Sequence, residues 1–196
     1  MLAHEAVLPA LRRRLEGAVA LLVVAQAEDF GVDVGPVIDA DAVARIGRYR
    51  QLAQDSGRLL DSPPVPDRGC FCPPTVACEL PADSPLLSEE VFGPLTTLES
   101  VPSVAAACDA VDALGFALTG GLFSRDPSVV AEVVERSPVG NLHINRHTTA
   151  AMVARQPFGG NRLSGTGAKA GGPDYLLHFV EPHVVCENTM RHGLIA

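Results

Sequence analysis

The chain has 196 residues, of which 47% are hydrophobic and 19% charged. That is enough for an ordinary globular core and unlike a disordered chain. A formal net charge of -8, from 15 basic and 23 acidic residues, argues against nucleic acid or another polyanion as partner.

The longest strongly apolar run, residues 18–25, is far too short to span a bilayer. Met1-Leu2-Ala3-His4-Glu5 lacks the basic start and apolar core of a signal peptide. These features predict a soluble, cytoplasmic protein with no membrane partner. Residues 5 to about 25 read as a helix, with Val7, Leu8, Leu11, Leu15 and Val19 at helical spacing. Gly31, Gly35 and Pro36 punctuate a loop. Asp39 is the expected N-cap of a second helix running to about residue 55, with Gly57 just past its end. Residues 62–74 are rich in Pro and Gly and read as a surface connection.

From Glu89 onward strands alternate with helices. Strands are expected over 95–98, 118–124 and 140–145, and helices over 101–114 and 127–137. Asp126 is the natural N-cap of the last helix, with Pro127 at its first position. The fold class is α/β, a parallel βαβαβ layer with short crossovers. Residues 156–173 hold Gly159, Gly160, Gly165, Gly167, Gly171 and Gly172. Such glycine density excludes a helix or regular strand and predicts a long irregular loop of the functional kind. Residues 176–186 read as a C-terminal strand tail, suited to a partner's sheet.

Five cysteines, Cys70, Cys72, Cys78, Cys108 and Cys186, make an odd count without a secretion signal and so predict free thiols. Cys70, Cys72 and Cys78 are close enough to suggest a metal site. They lack a second Cys-x-x-Cys pair or a nearby His, and packing around a strand is the simpler reading, so no metal ligand is assigned.

Three segments carry chemistry. In Glu89-Glu90-Val91-Phe92-Gly93-Pro94 a carboxylate can accept hydrogen bonds from sugar hydroxyls, and the Phe offers a flat face to a heteroaromatic ring. The same two Glu can simply face solvent. Gln156-Pro157-Phe158-Gly159-Gly160 and Leu163-Ser164-Gly165-Thr166-Gly167 form a constrained glycine loop. Lys169-Ala170-Gly171-Gly172-Pro173-Asp174-Tyr175 can turn several backbone N–H groups inward as a nest for a carboxylate, or make a tight structural turn.

Glu-Glu-Val-Phe-Gly-Pro followed by Pro-Phe-Gly-Gly-x-x-x-Ser-Gly resembles the aldehyde dehydrogenase superfamily in order and separation. Residues 118–127 (LTGGLFSRDP), 139–146 (VGNLHINR) and 164–176 (SGTGAKAGGPDYL) are similar to the 1-pyrroline-5-carboxylate dehydrogenase group, as are residues 27–31 and 35–39. The resemblance covers nearly the whole chain in register. It implies an NAD-dependent oxidation of L-glutamate γ-semialdehyde to glutamate through a cysteine thiolate. Glu90 would hold the nicotinamide ribose of NAD and Phe92 would pack beside the nicotinamide. Phe158 would line the aldehyde pocket, Gly171 and Gly172 would anchor the substrate carboxylate, and Phe179 would wall its aliphatic part. His143, His147 and His178 receive no catalytic role and read as structural or surface residues.

The resemblance also implies a nucleophile in a Gly-Gln-x-Cys setting upstream of Met1, and none of the five cysteines has that setting. No catalytic residue is therefore assigned. The glycine-rich dinucleotide-binding domain is likewise expected upstream, and the first helix is expected to expose an apolar face. Residues 1–150 read as a truncated catalytic domain, and 151–196 as a substrate-anchor loop with an oligomerisation tail. The chain is then either a C-terminal piece of a working dehydrogenase, inactive alone, or a stand-alone non-catalytic protein that keeps the fold. Expected partners are the aldehyde substrate and either a second copy or the N-terminal portion.

Overall fold

The computed structural model describes residues 1–149, 152 and 154–188. The chain divides into two compact units, Met1–Leu114 and Gly115–Ala196. This division falls inside the segment 1–150 that the sequence treats as one piece, and the boundary near 150 lies at residues outside the described set.

The first unit is built on a four-stranded sheet, order β1-β4-β3-β2. Strands β1 (Leu2–His4) and β3 (Thr75–Cys78) both run parallel to β4 (Leu95–Val101), and β2 (Arg58–Leu59) pairs antiparallel with β3. The first helix, α1 (Leu8–Ala20), is shorter than expected. Leu2–His4 is extended in β1, and a proline in the first helical turn suits the later start. Leu8, Leu15 and Val19 pack on a cluster of Ala3, Leu60, Val76, Cys78 and Leu98. The apolar face expected to lie open is thus buried in part, while Val7, Leu11 and Leu21 remain exposed.

Helix α2 (Ala40–Ser56) follows the sequence signals closely. The Asp39 carboxylate accepts from the N–H of Ala42 at 2.7 Å, and Gly57 caps the far end. Ala42, Ile46 and Ala53 are its buried residues, and Ile46 and Ala53 meet Cys72, Ala77, Leu80, Leu86 and Val91. Cys72 and Cys78 are therefore core side chains. Helix α3 (Val104–Asp112) starts later than the sequence suggests, because Val101 stays in β4 and Ser103 caps it, accepting from Ala106 N–H at 3.1 Å. No helix among the described residues is long and apolar enough to cross a membrane.

In the second unit the strand expected over 118–124 is present as a shorter β6 (Thr119–Leu122), and a short strand not expected from the sequence precedes it. β5 (Phe116–Ala117) pairs antiparallel with β8 (Asn161–Arg162), and after Leu118 the chain changes partner, so that β6 (Thr119–Leu122) runs parallel to β7 (Asn141–Ile144). Helix α4 (Pro127–Arg136) joins β6 to β7, capped by Asp126, whose carboxylate accepts from Ser128 N–H at 2.9 Å. The α/β class and the parallel strand–helix–strand unit are those of the sequence reading. The continuous layer is not found among the described residues, where β4 has β1 and β3 on its two edges and β6 pairs only with β7. The tail also differs. Tyr175–Phe179 forms a 3₁₀ turn and residues 180–188 have no regular structure. Val180 is extended, at φ -128° and ψ 149°, but no strand edge pairs with it among the described residues.

Candidate functional site

Two patches hold the residues that the sequence singles out, one in each unit. In the first unit, residues 89–94 form the turn leading into β4. The chain leaves a 3₁₀ turn at Pro85–Leu87, and the N–H of Glu89 donates to the Pro85 carbonyl at 2.8 Å. Phe92 is left-handed, at φ 55°, which an aromatic residue adopts only when its surroundings impose it. Those surroundings come from α2. Arg45 donates from Nε to the Val91 carbonyl at 3.1 Å and from Nη2 to the Phe92 carbonyl at 3.3 Å. The Tyr49 hydroxyl donates to the Glu89 carboxylate, which raises the tyrosine pKa. Gly93 rests on Ile46, where an added Cβ would stand 2.4 Å from Cδ1.

The result is an open concavity of about 340 Å³ lined by Glu90, Phe92, Gly93, Thr96 and Thr97 among others. Glu90 is exposed, and Phe92 is 77% exposed. A free carboxylate beside a bare aromatic face suits a hydroxylated, ring-bearing ligand. Arg45 and Tyr49 are absent from the sequence reading. The signal was their placement around core-facing Ile46, at spacings that put them on one side of the helix.

In the second unit the glycine loop is ordered by polar contacts. Phe158 and Ala170 exchange both backbone hydrogen bonds, at 3.0 and 2.8 Å, which ties the phenylalanine to the segment before Gly171. Gly171 is left-handed at φ 72°, and the N–H of Gly172 closes a turn on the Lys169 carbonyl at 3.0 Å. The Lys169 ammonium donates to the Gly159 carbonyl. A concavity of about 300 Å³ lies here, lined by Pro157, Lys169, Gly172, Asp174, Tyr175 and His178 among others. Phe158 adjoins it through Pro157, and Phe179 stacks edge-on against Tyr175 with ring centroids 5.4 Å apart. Glycine backbone beside a fixed ammonium and two polar rings suits a small anion. The sequence marks Tyr175 only as the end of the nest segment and reads His178 as structural or surface; a 3₁₀ turn over Tyr175–Phe179 brings both to the concavity. His143 is buried in β7 and His147 is exposed.

Cys72 and Cys78 are buried and unpaired as disulfides. Burial pushes the thiols of Cys72 and Cys78 up, so both stay protonated near neutral pH. Among the described residues no three His, Cys, Asp or Glu side chains are placed to hold a metal ion.

Comparison with known proteins places the chain in a family. A family model described as "Aldehyde dehydrogenase family" matches residues 1–185. The 1-pyrroline-5-carboxylate dehydrogenase of Geobacillus sp. (strain WCH70) is 36% identical over 155 residues, 79% of this chain and 30% of the relative. That of Bacillus licheniformis is 32% identical over 185 residues, 94% of this chain and 36% of the relative. The chain thus spans about a third of the curated relatives it matches. Among solved structures, proline utilization A (PutA) from Bdellovibrio bacteriovorus inactivated by N-propargylglycine superposes with a TM-score of 0.90 at 39% identity, covering 98% of this chain and 20% of that one. A Thermus 1-pyrroline-5-carboxylate dehydrogenase with bound NAD superposes with a TM-score of 0.87 at 32% identity, covering 92% of this chain and 35% of that one. With the family model spanning nearly all of its length and the fold matching at these scores, the chain belongs to the aldehyde dehydrogenase family.

Proposed function

We propose that this chain supplies the C-terminal site elements of an NAD-dependent 1-pyrroline-5-carboxylate dehydrogenase, which oxidises L-glutamate γ-semialdehyde to glutamate. The observation that carries the reading is the backbone exchange between Phe158 and Ala170. It sets an exposed aromatic side chain, adjoining the concavity through Pro157, beside a glycine turn and a cationic group, which suits an aldehyde bearing a carboxylate.

Glu90 takes the nicotinamide ribose hydroxyls and Phe92 packs on the ring. The exposure of both side chains on one turn fits that end of NAD, which when bound supplies the hydride acceptor. The turn at Gly171 and Gly172 takes the α-carboxylate, with the Gly172 N–H holding the turn closed on the Lys169 carbonyl and the Lys169 charge adding attraction. Phe158 and Phe179 flank the aliphatic part and exclude water. The nucleophilic thiolate comes from outside these 196 residues, so the chain alone is inactive. Its exposed tail, with Leu176 at 74% and Val184 at 80% exposure, is suited to contact a second copy or the preceding portion, in a cytoplasmic setting.

The test is a titration of the ¹⁵N-labelled chain with L-glutamate, together with an assay of NAD reduction by the semialdehyde. Amide shifts centred on Phe158, Gly171 and Gly172 are expected, with no NADH formed. Shifts scattered elsewhere, or none, would refute the anchor assignment. Turnover by the chain alone would show that its own residues hold a nucleophile.

A further inference from the structure

We infer that Asn141 is a positioning residue for the substrate pocket, holding Phe158 and, through it, the Gly171-Gly172 turn. The inference rests on the substrate reading above and adds a residue to it. Asn141 opens β7, and its backbone is fixed by the ladder to β6, with its N–H on the Leu118 carbonyl at 3.1 Å. Its side chain then reaches across to the glycine loop. Nδ2 donates to the Pro157 carbonyl at 2.9 Å, and Oδ1 accepts from the Gly159 N–H at 3.2 Å.

These two groups flank Phe158. In extended backbone, the N–H and C=O of one residue point to one side while the flanking C=O and N–H point to the other. Phe158 spends its own pair on Ala170, and Asn141 takes the opposite pair. One primary amide thus does the work of a neighbouring strand and fixes both peptide planes beside the ring. Only an amide in this orientation satisfies both partners. A carboxylate would set oxygen against the Pro157 carbonyl, and an apolar side chain would leave both groups unpaired.

Among the described residues both apolar clusters lie in the first unit, and Phe158 is 36% exposed. An internal comparison separates positioning from mere stabilisation. Asn145, four residues further on, makes the same two-way amide bond, but to the N–H and C=O of Ser124, both at 2.9 Å. Ser124 does not line the concavity.

The experiment measures amide hydrogen exchange and L-glutamate affinity on the full chain, as wild type, Asn141→Ala, Asn141→Asp and Asn145→Ala. Both Asn141 variants are expected to speed exchange at Phe158 and Ala170, and to weaken L-glutamate binding, each by roughly tenfold, the loss of one or two net hydrogen bonds. Asn145→Ala should lower thermal stability comparably and change neither readout. The near-isosteric Asp variant decides the matter if the Ala variant fails to fold. Unchanged protection at Phe158 and Ala170 in Asn141→Asp would overturn the inference, as would an equal loss of affinity in Asn145→Ala. A wild type that binds no L-glutamate would sink the substrate reading instead, and the exchange data would still decide whether Asn141 holds Phe158.

Discussion

The turn over residues 89–94 and the glycine loop over 156–173 are held by different physics. The turn sits on an apolar core, where Ile46, Ala53, Ala77, Leu86 and Val91 pack together, and α2 adds Arg45 and Tyr49 as polar anchors. In the second unit only Ala117, His143 and Gly160 are buried among the described residues, and α4 buries none. Order there comes from clamps. Asn141 holds Pro157 and Gly159, Asn161 donates to the Pro138 carbonyl at 2.9 Å, and the Ser164 hydroxyl accepts from Ala117 N–H at 3.0 Å. Apolar burial is strong and non-directional. A hydrogen bond nets only about 1 kcal/mol but fixes direction. A site made of side chains can rest on a core, whereas one made of backbone groups needs the second kind of support.

The comparison breaks if side-chain truncation costs the same in both regions. Ile46 is 2% exposed and carries Gly93 as well as the core. Ile46→Ala should cost about 2–5 kcal/mol, through lost burial and the cavity left behind. Val134, on α4 at 56% exposure, should cost within about 0.5 kcal/mol on the same change. Urea denaturation of the two variants measures the contrast, and equal losses would show that the second unit has a core of its own.

Glycine substitutions sharpen it from the other side. At Gly159 an added Cβ would stand 1.8 Å from the Ala168 carbonyl oxygen, so backbone must move against backbone. Gly159→Ala should cost about 1–3 kcal/mol and strip protection from the Phe158–Ala170 pair. Gly47 on α2 meets nothing within 4 Å. Gly47→Ala should stabilise by about 0.5–1 kcal/mol through the helix's preference for alanine. Thermal melts of both variants, with exchange at Phe158, test the signs.

What could be read from the sequence divides along the same line. Capping signals are local, so Asp39, Gly57 and Asp126 marked the ends of α2 and α4 to within a residue. The motifs around Glu90 and Gly171 were visible because glycine and proline record backbone geometry directly. Strand partners were not visible. Leu118 carries no mark that the chain leaves β8 for β7 there, and Leu2–His4 is too short to show alternation, though it becomes an edge of the sheet. Arg45, Tyr49 and Asn141 were missed for a related reason. Each acts on a carbonyl, carboxylate or N–H 16 to 47 residues away, and only the fold brings those groups together.

The smallest effect expected is in pH dependence, where one carboxylate in each region gives an opposite sign. Glu99, in β4, has Oε1 buried without a partner, and burial raises its pKa; a hydrogen bond from Leu80 N–H and the Met1 ammonium oppose this. The folded state then holds the proton more tightly than the unfolded chain, whose value lies near 4.5. Stability must fall as pH rises from there through the folded value. Asp126 is the reverse. Its hydrogen bonds from Ser128 lower its pKa below 3.8, so its contribution is present above that value and is lost as pH falls through the folded one. Denaturation midpoints between pH 3 and 7 should therefore show two separable limbs. Glu99→Gln should flatten the decline above pH 4.5, and Asp126→Asn should flatten the loss below 3.8. Asp126 is exposed and Glu99 only partly buried, so solvent screening keeps each limb shallow. If Glu99→Gln left the upper limb unchanged, the glutamate would not be the buried, ill-satisfied group of the core region. The contrast between a core that tolerates one misplaced charge and a loop built from satisfied polar groups would then lose its electrostatic half.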